Sequence, residues 1–126
     1  MPRPVFLNLT QIQMPVGALT SIAHRVSAIL LALGLPFCVY VLHLSLQSPQ
    51  SYAQLTVLRD GGAFKFALIV LAWALAHHLL AGVRHLLSDI DVGSLLPSAR
   101  RSAWTVNVVG VVAALSAAWV LLCGNL

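Results

Sequence analysis

Three long apolar runs dominate the chain, at about 22–46, 64–87 and 103–122. Each reaches the ~20 residues that a helix needs to cross the hydrocarbon of a bilayer. Backbone groups in lipid must be paired within the segment, so these runs predict helices, and the alternating pattern of barrel strands is absent. Pro36 falls inside the first run and can kink that helix without ending it. The connection Gln47–Gly62 carries Ser-Pro, Arg-Asp and Gly-Gly. The connection Ser88–Ser102 carries Asp89, Asp91, Gly93, Pro97, Arg100 and Arg101. Both read as loops. The expected fold is all-α, a single membrane-anchor domain over 1–126 with three transmembrane helices and no internal repeat.

Composition strengthens this reading. Of 126 residues, 60% are apolar and 8% charged, and the three carboxylate side chains are all Asp. Soluble domains carry roughly 25% charged residues. So little charge cannot cover a water-exposed surface, which excludes a soluble globular domain, a disordered tail and a coiled coil. The length leaves no room for a catalytic domain outside the membrane. The net charge of +4 sits beside apolar runs and reads as topology signal, with no nucleic-acid partner implied. The N-terminus and the second connection share a side carrying Arg3, Arg25, Arg84, Arg100 and Arg101, against Arg59 and Lys65 opposite. That balance puts the N-terminus inside. Residues 1–14 are too polar for the apolar core of a secretory signal, and no cleavage pattern follows them. Cys38 and Cys123 lie within or at the end of apolar runs and read as buried free thiols, with neither disulfide nor metal role.

Ionisable groups inside a span cost about 2.5–3.5 kcal/mol on insertion scales, so each needs a reason. The second run holds His77, His78, Arg84, His85 and, at its end, Asp89. Counted from His78, Ala81 and Gly82 fall at +3 and +4, His85 at +7 and Asp89 at +11, all on one helical face. His78 and His85 are then roughly 10 Å apart along the axis. An imidazole followed by small residues suits a flat, metal-containing ring: His78 as axial haem ligand, the macrocycle close to the backbone, and basic groups near the surface for its propionates. The other reading is a histidine bonded to a neighbouring helix. His77 points about 100° away, and spacing alone leaves it open as the ligand. His43 reads as an interfacial histidine, and Ala28/Ala32 and Gly110/Ala114 read as packing pairs.

A second cluster opens the first run: Ser21, His24, Arg25 and Ser27. Ser21 and Arg25 are four apart and share a face. They read either as a snorkelling rim or as donors aimed at a carbonyl or anion. The second helix returns Arg84, His85 and Asp89 to the same inner level, which points to a polar ligand or proton delivery at the boundary. His24 is expected roughly 15 Å from His78 along the membrane normal, and the third run has no histidine. A haem at His78 therefore needs either a ligand from another polypeptide, in a heteromeric bundle, or five coordination, and a membrane partner is expected.

The two clusters resemble the cytochrome b subunit (the C subunit) of succinate dehydrogenase, respiratory complex II. Arg3-Pro4 with Ser21-Ile-Ala-His24-Arg25-Val-Ser27 is similar to that family's R-P opening and S-x-x-H-R-x-[ST]-G element. His78-Leu-Leu-Ala-Gly82-Val-Arg84-His85-Leu-Leu-Ser-Asp89 is similar to its H-x-x-x-G-x-R-H-x-x-x-D element. Order, separation and three-span layout match over nearly the whole chain. The resemblance implies that His78, rather than His77, is the axial ligand of haem b, with the other axial histidine supplied by a second membrane-anchor subunit. It implies that Ser21 and Arg25 bind ubiquinone, that His24, Arg25 and His85 surround the haem propionates, and that Asp89 has a polar or proton role at the inner face. It implies a flavoprotein and an iron–sulfur subunit docked on that face, passing electrons from succinate to ubiquinone. This chain departs at Ala28, where the family often has Gly, and lacks the S-P-H element seen before the first span in some members. With no Arg- and Ser-rich transit peptide ahead of it, a bacterial inner membrane is the expected home. A fumarate reductase-type anchor would share these features. A non-redox transporter or assembly protein would use the histidines for proton relay or helix contact and would purify colourless.

Overall fold

The computed structural model describes residues 15–124; Arg3, Pro4 and the stretch 9–14 lie outside the described residues. Four helices follow in chain order: α1 Val16–Gln47, α2 Pro49–Arg59, α3 Gly62–Asp89 and α4 Leu96–Cys123. Among the described residues there is no strand. α1, α3 and α4 are each long and apolar enough to cross a membrane. The fold is that of an all-α, multi-pass membrane protein. α3 sits between the other two long helices and packs against both.

The three spans appear where the apolar runs predict them, but the helices extend further. α1 begins six residues before Ile22, and α4 begins seven before Ala103 and takes in Arg100 and Arg101. Helices continue past hydrocarbon because polar residues such as Ser21 and Arg100 keep their backbone ladder when they reach the headgroup layer. α1 also runs through Pro36.

The connection expected as the loop Gln47–Gly62 contains α2 instead. Ser48 precedes Pro49 and is therefore held extended (φ −161°, ψ 160°), which ends α1. The same two residues then start a helix, with Pro49 in its first turn and Ser48 as its cap. The Ser48 hydroxyl accepts the amide of Ser51 at 3.1 Å, and the amide of Ser48 donates to the Ser51 hydroxyl at 3.1 Å, a reciprocal capping box. Ser51 Oγ also donates to the carbonyl of Leu44 at 2.7 Å, satisfying an orphan oxygen at the end of α1. α2 escaped the apolar pattern because it is polar enough to lie outside the lipid.

α3 ends in a Schellman turn. Val92 N–H donates to Leu87 O at 2.8 Å and Asp91 N–H to Ser88 O at 3.0 Å. Asp91 takes the left-handed conformation this requires (φ 60°), which Asp tolerates better than most residues. The connection is thus only residues 90–95, shorter than the Ser88–Ser102 expected.

The interior is built from small and polar residues: Ala74, Ala81, Ala103 and Val106, with Thr20, Ser27 and His77. Large apolar side chains point outward; Leu33, Phe66 and Trp119 are each about 70% exposed (72%, 68% and 71%). This inversion is what lipid solvation allows. Hydrocarbon gives no hydrophobic drive for burying Leu against Leu, so helices associate where small residues let backbones approach. Gly110 is one such place, with Trp73 and His77 of α3 directly over it. Of the other expected pair, Ala28 is half-buried but Ala32 is exposed, so only Ala28 packs. Cys38 and Cys123 are free, but both are exposed on helix surfaces. The expectation of thiols buried in the protein is therefore corrected: the apolar flanks that suggested it face outward.

Candidate functional site

α1 and α3 bring three imidazoles together at one end of the bundle. His24 of α1 lies between His78 and His85 of α3. Its ring stacks on that of His78 with centroids 4.4 Å apart and planes 19° from parallel, and lies 5.3 Å from that of His85. The expected separation of roughly 15 Å along the normal, taken from helical rise, is thus wrong for His24 and His78. α1 starts earlier than its apolar run, so His24 already lies two turns inside the helix and next to His78. Stacked rings nonetheless do not point nitrogen to nitrogen across a shared metal. These two histidines in this arrangement cannot form a bis-imidazole pair.

Ser27 orders the site. Its side chain is fully buried, and its hydroxyl donates to the carbonyl of His24 at 2.6 Å. With its proton committed there, the Ser27 oxygen presents lone pairs to His78 Nδ1 at 3.2 Å. In the neutral tautomer that this contact favours, Nδ1 of His78 donates to Ser27 and Nε2 keeps a free lone pair. This is the arrangement in which a histidine serves as a metal ligand, one nitrogen oriented by a partner and the other available. The sequence reading quoted Ser27 within a motif and gave it no role.

Gly82 lies one turn from His78, on the same face. A Cβ there would come 4.0 Å from His24 Nε2, so the His24 ring itself covers this glycine. Ala81 beside it is buried. Ser21 is half-buried and Arg25 exposed at the same end of α1, and neither side chain is hydrogen-bonded to another described residue. His85 is exposed at the edge of the imidazole row, and Asp89 is exposed at the last position of α3. Among the described residues the one ion pair is Arg59–Asp60, on the opposite side of the membrane, so Asp89 is not ion-paired there.

Arg84 reaches the same end but turns from the imidazoles to α4. Its Nε donates to Ser102 Oγ at 3.0 Å and its Nη2 to the carbonyl of Ala99 at 3.2 Å. The expected convergence on the inner face thus holds in level and fails in direction for this guanidinium. Ser102 and Ala99 are in the first turns of α4, which the apolar pattern did not include.

His77 and His78 part company, as adjacent helical residues must. His77 is 1% exposed, and its Nε2 lies 3.1 Å from Asn107 Oδ1 of α4. It is enclosed between α3 and α4, whereas His78 faces α1 and the outer surface of the bundle. Asn107, a lone amide within the third apolar run, was the available signal for this contact. His43 is exposed at the far end of α1 with its Nε2 3.2 Å from Gln47 Nε2, an interfacial position.

Comparison with known proteins points to the same family as the motifs. Residues 1–117 match the family described as succinate dehydrogenase/fumarate reductase transmembrane subunit. The chain is 38% identical over 120 residues to the succinate dehydrogenase cytochrome b556 subunit of Coxiella burnetii, covering 94% of this chain and 96% of that one. It is 33% identical over 113 residues to the subunit of the same name from Paracoccus denitrificans, covering 89% and 86%. A 28% identical relative from Rickettsia prowazekii carries the name too, over 86% of this chain and 85% of its own. With its all-α membrane fold and a match along nearly its whole length, the chain belongs to the succinate dehydrogenase/fumarate reductase transmembrane subunits, as a cytochrome b anchor.

Proposed function

We propose that this chain holds haem b through Nε2 of His78 and forms one wall of the ubiquinone-reduction site of a bacterial succinate dehydrogenase. The observation that carries the haem reading is the Ser27–His78 contact of 3.2 Å, which engages Nδ1 and leaves Nε2 as the nitrogen available to iron. The remaining residues fit the group. Gly82 keeps the face beside His78 low, Arg25 would supply positive charge for propionates, and His24 and His85 would supply hydrogen-bond donors. A macrocycle over Gly82 requires the His24 ring to turn from its stacked position toward the inner surface. Haem b, when bound, would hold and pass single electrons near the quinone.

A companion anchor subunit would supply the other histidine to hold the haem, since α4 has none and the His24 ring is stacked on His78. Ser21 and Arg25 are placed as donors to a quinone carbonyl. A hydroxyl and a guanidinium four residues apart hold the oxygen in place and stabilise negative charge as it develops there. Asp89 and His85, at the aqueous end, are suited to return protons to that oxygen. A flavoprotein and an iron–sulfur subunit dock on this end, which lies at the cytoplasmic face with the N-terminus. The relatives' names, succinate dehydrogenase in each, favour succinate oxidation over fumarate reduction.

The test is a dithionite-reduced minus oxidised visible spectrum of the complex isolated through this chain. A b-type α band that is lost in His78→Ala and kept in His77→Ala is the expected result. A colourless complex, or a normal low-spin bis-histidine spectrum in His78→Ala, would overturn the assignment.

A further inference from the structure

Three polar side chains, one from each long helix, meet at a single oxygen that the proposed haem and quinone chemistry does not use. Asn107 Oδ1 of α4 lies 3.1 Å from Thr20 Oγ1 of α1 and 3.1 Å from His77 Nε2 of α3. Thr20 is fully buried and His77 nearly so (0% and 1% exposed). The single proton of the Thr20 hydroxyl is shared between Asn107 Oδ1 and the carbonyl of Val16, 2.9 Å away. Around the junction the packing is close: a Cβ at Gly110 would lie 3.4 Å from both His77 Cβ and Trp73 Nε1.

Elsewhere the long helices touch in pairs: α1 and α3 through Ser27–His78 and the rings of Phe37 and Phe64, α3 and α4 through Arg84–Ser102, and otherwise through small side chains such as Ala74, Ala81 and Ala103. Methyl contacts set a distance between helices but only weakly oppose rotation about a helix axis, because no direction is favoured. A hydrogen bond fixes direction as well. The positions of the two donors matter here. Thr20 precedes Ser21, and His77 precedes His78. Neighbouring helical residues keep a constant angle of about 100° between them, so locking the first locks the second. A rotation of about 10° at a side-chain radius of about 5–6 Å would carry an imidazole roughly 1 Å. That is enough to misalign an axial ligand or a quinone donor.

We infer that Thr20, Asn107 and His77 are positioning residues: their shared junction sets the rotation of α1 and α3, so that Ser21 and His78 stay in register with each other. This rests on the haem and quinone reading above. It also gives a role to the second histidine directly beside the ligand: its Nε2 is held by α4, and its Nδ1 is enclosed within the bundle.

The experiment uses the whole complex with His77→Leu, His77→Gln, Asn107→Leu and Thr20→Val. The readouts are haem and flavin stoichiometry, the g values of the low-spin ferric haem, and KM for ubiquinone. His77→Leu and Asn107→Leu are expected to shift the g values while the complex stays assembled. His77→Gln, which keeps an amide donor at nearly the same reach, restores the wild-type signal. Thr20→Val, isosteric and so least disruptive to folding, raises the quinone KM by about tenfold, short of the ~100-fold that a full 1 Å misplacement can cost. Wild-type g values in His77→Leu and Asn107→Leu, or an unchanged KM in Thr20→Val, overturn the inference. If the leucine variants fail to assemble, Thr20→Val decides. A wild-type complex without haem overturns the haem reading itself, and the KM of Thr20→Val still reads the α1 half of the junction.

Discussion

Removing one hydroxyl, by Ser27→Ala, isolates the step on which the haem reading depends. Ser27 is fully buried, and its oxygen stands 3.2 Å from His78 Nδ1. The helix itself loses little. The bond from Ser27 to the His24 carbonyl is additional to that carbonyl's place in the helical ladder, and alanine is the better helix former by a few tenths of a kcal/mol. The cost falls on His78, whose Nδ1–H is left unpaired in an apolar setting, at about 1–3 kcal/mol. Loss of such an orienting partner lowers metal affinity about 10–100-fold, equivalent to about 1.4–2.8 kcal/mol. The two estimates, reached independently, coincide. The assay is haem titration into the haem-depleted complex, followed at the Soret band. Ser27→Ala should bind haem about 10–100-fold more weakly, while Ser27→Thr, which keeps the hydroxyl, stays close to wild type. Affinity within about twofold of wild type in an assembled Ser27→Ala complex would refute the tautomer argument, since a twofold change is only about 0.4 kcal/mol.

At the proposed quinone site, Arg25→Ala is expected to lower succinate:quinone reductase activity by about 100-fold, as loss of a charge-stabilising donor does. Succinate oxidation by an artificial dye should remain intact in the same preparation, and equal loss of both activities would indicate failed assembly instead. At the α3–α4 contact, Gly110→Leu should destabilise the anchor by about 1–3 kcal/mol through overpacking against His77 and Trp73. Thermal unfolding in detergent, compared with Gly110→Ala, checks this, and equal midpoints for the two variants would show that the contact is loose.

The spans were legible in the sequence because lipid imposes a length and a composition that no other solvent does. The histidine face of α3 was legible for the same reason, since each polar group stands out against an apolar run. What escaped notice is equally physical. α2 carries no apolar run, and its Ser48-Pro49 start reads as a loop unless the hydroxyl of Ser51, three residues after the cap, is weighed as half of a capping box. The early start of α1 was hidden because helices outlast hydrocarbon, and that error placed His24 far from His78. The direction of Arg84 depended on Ser102 and Ala99, which lay in the presumed connection. Asn107 was the most informative residue passed over: a single amide in a run of apolar side chains demands a partner as insistently as a histidine does.

The surplus length of the helices has a consequence for how the anchor meets its surroundings. α1 has 32 residues and α3 and α4 have 28 each, so they measure about 48 and 42 Å against a hydrocarbon thickness of ~30 Å. Tilting alone absorbs part of the difference, and the remainder stands beyond the lipid tails as helix. Electron transfer depends steeply on gap width. A docking platform made of stiff rods rather than slack loops holds that gap constant against thermal motion. On the proposed reading, the quinone head would meet Ser21 and Arg25 on such a rod, within the headgroup layer. The tail would remain among hydrocarbon chains, so the lipid's own layering would pre-align the substrate before any side chain touches it.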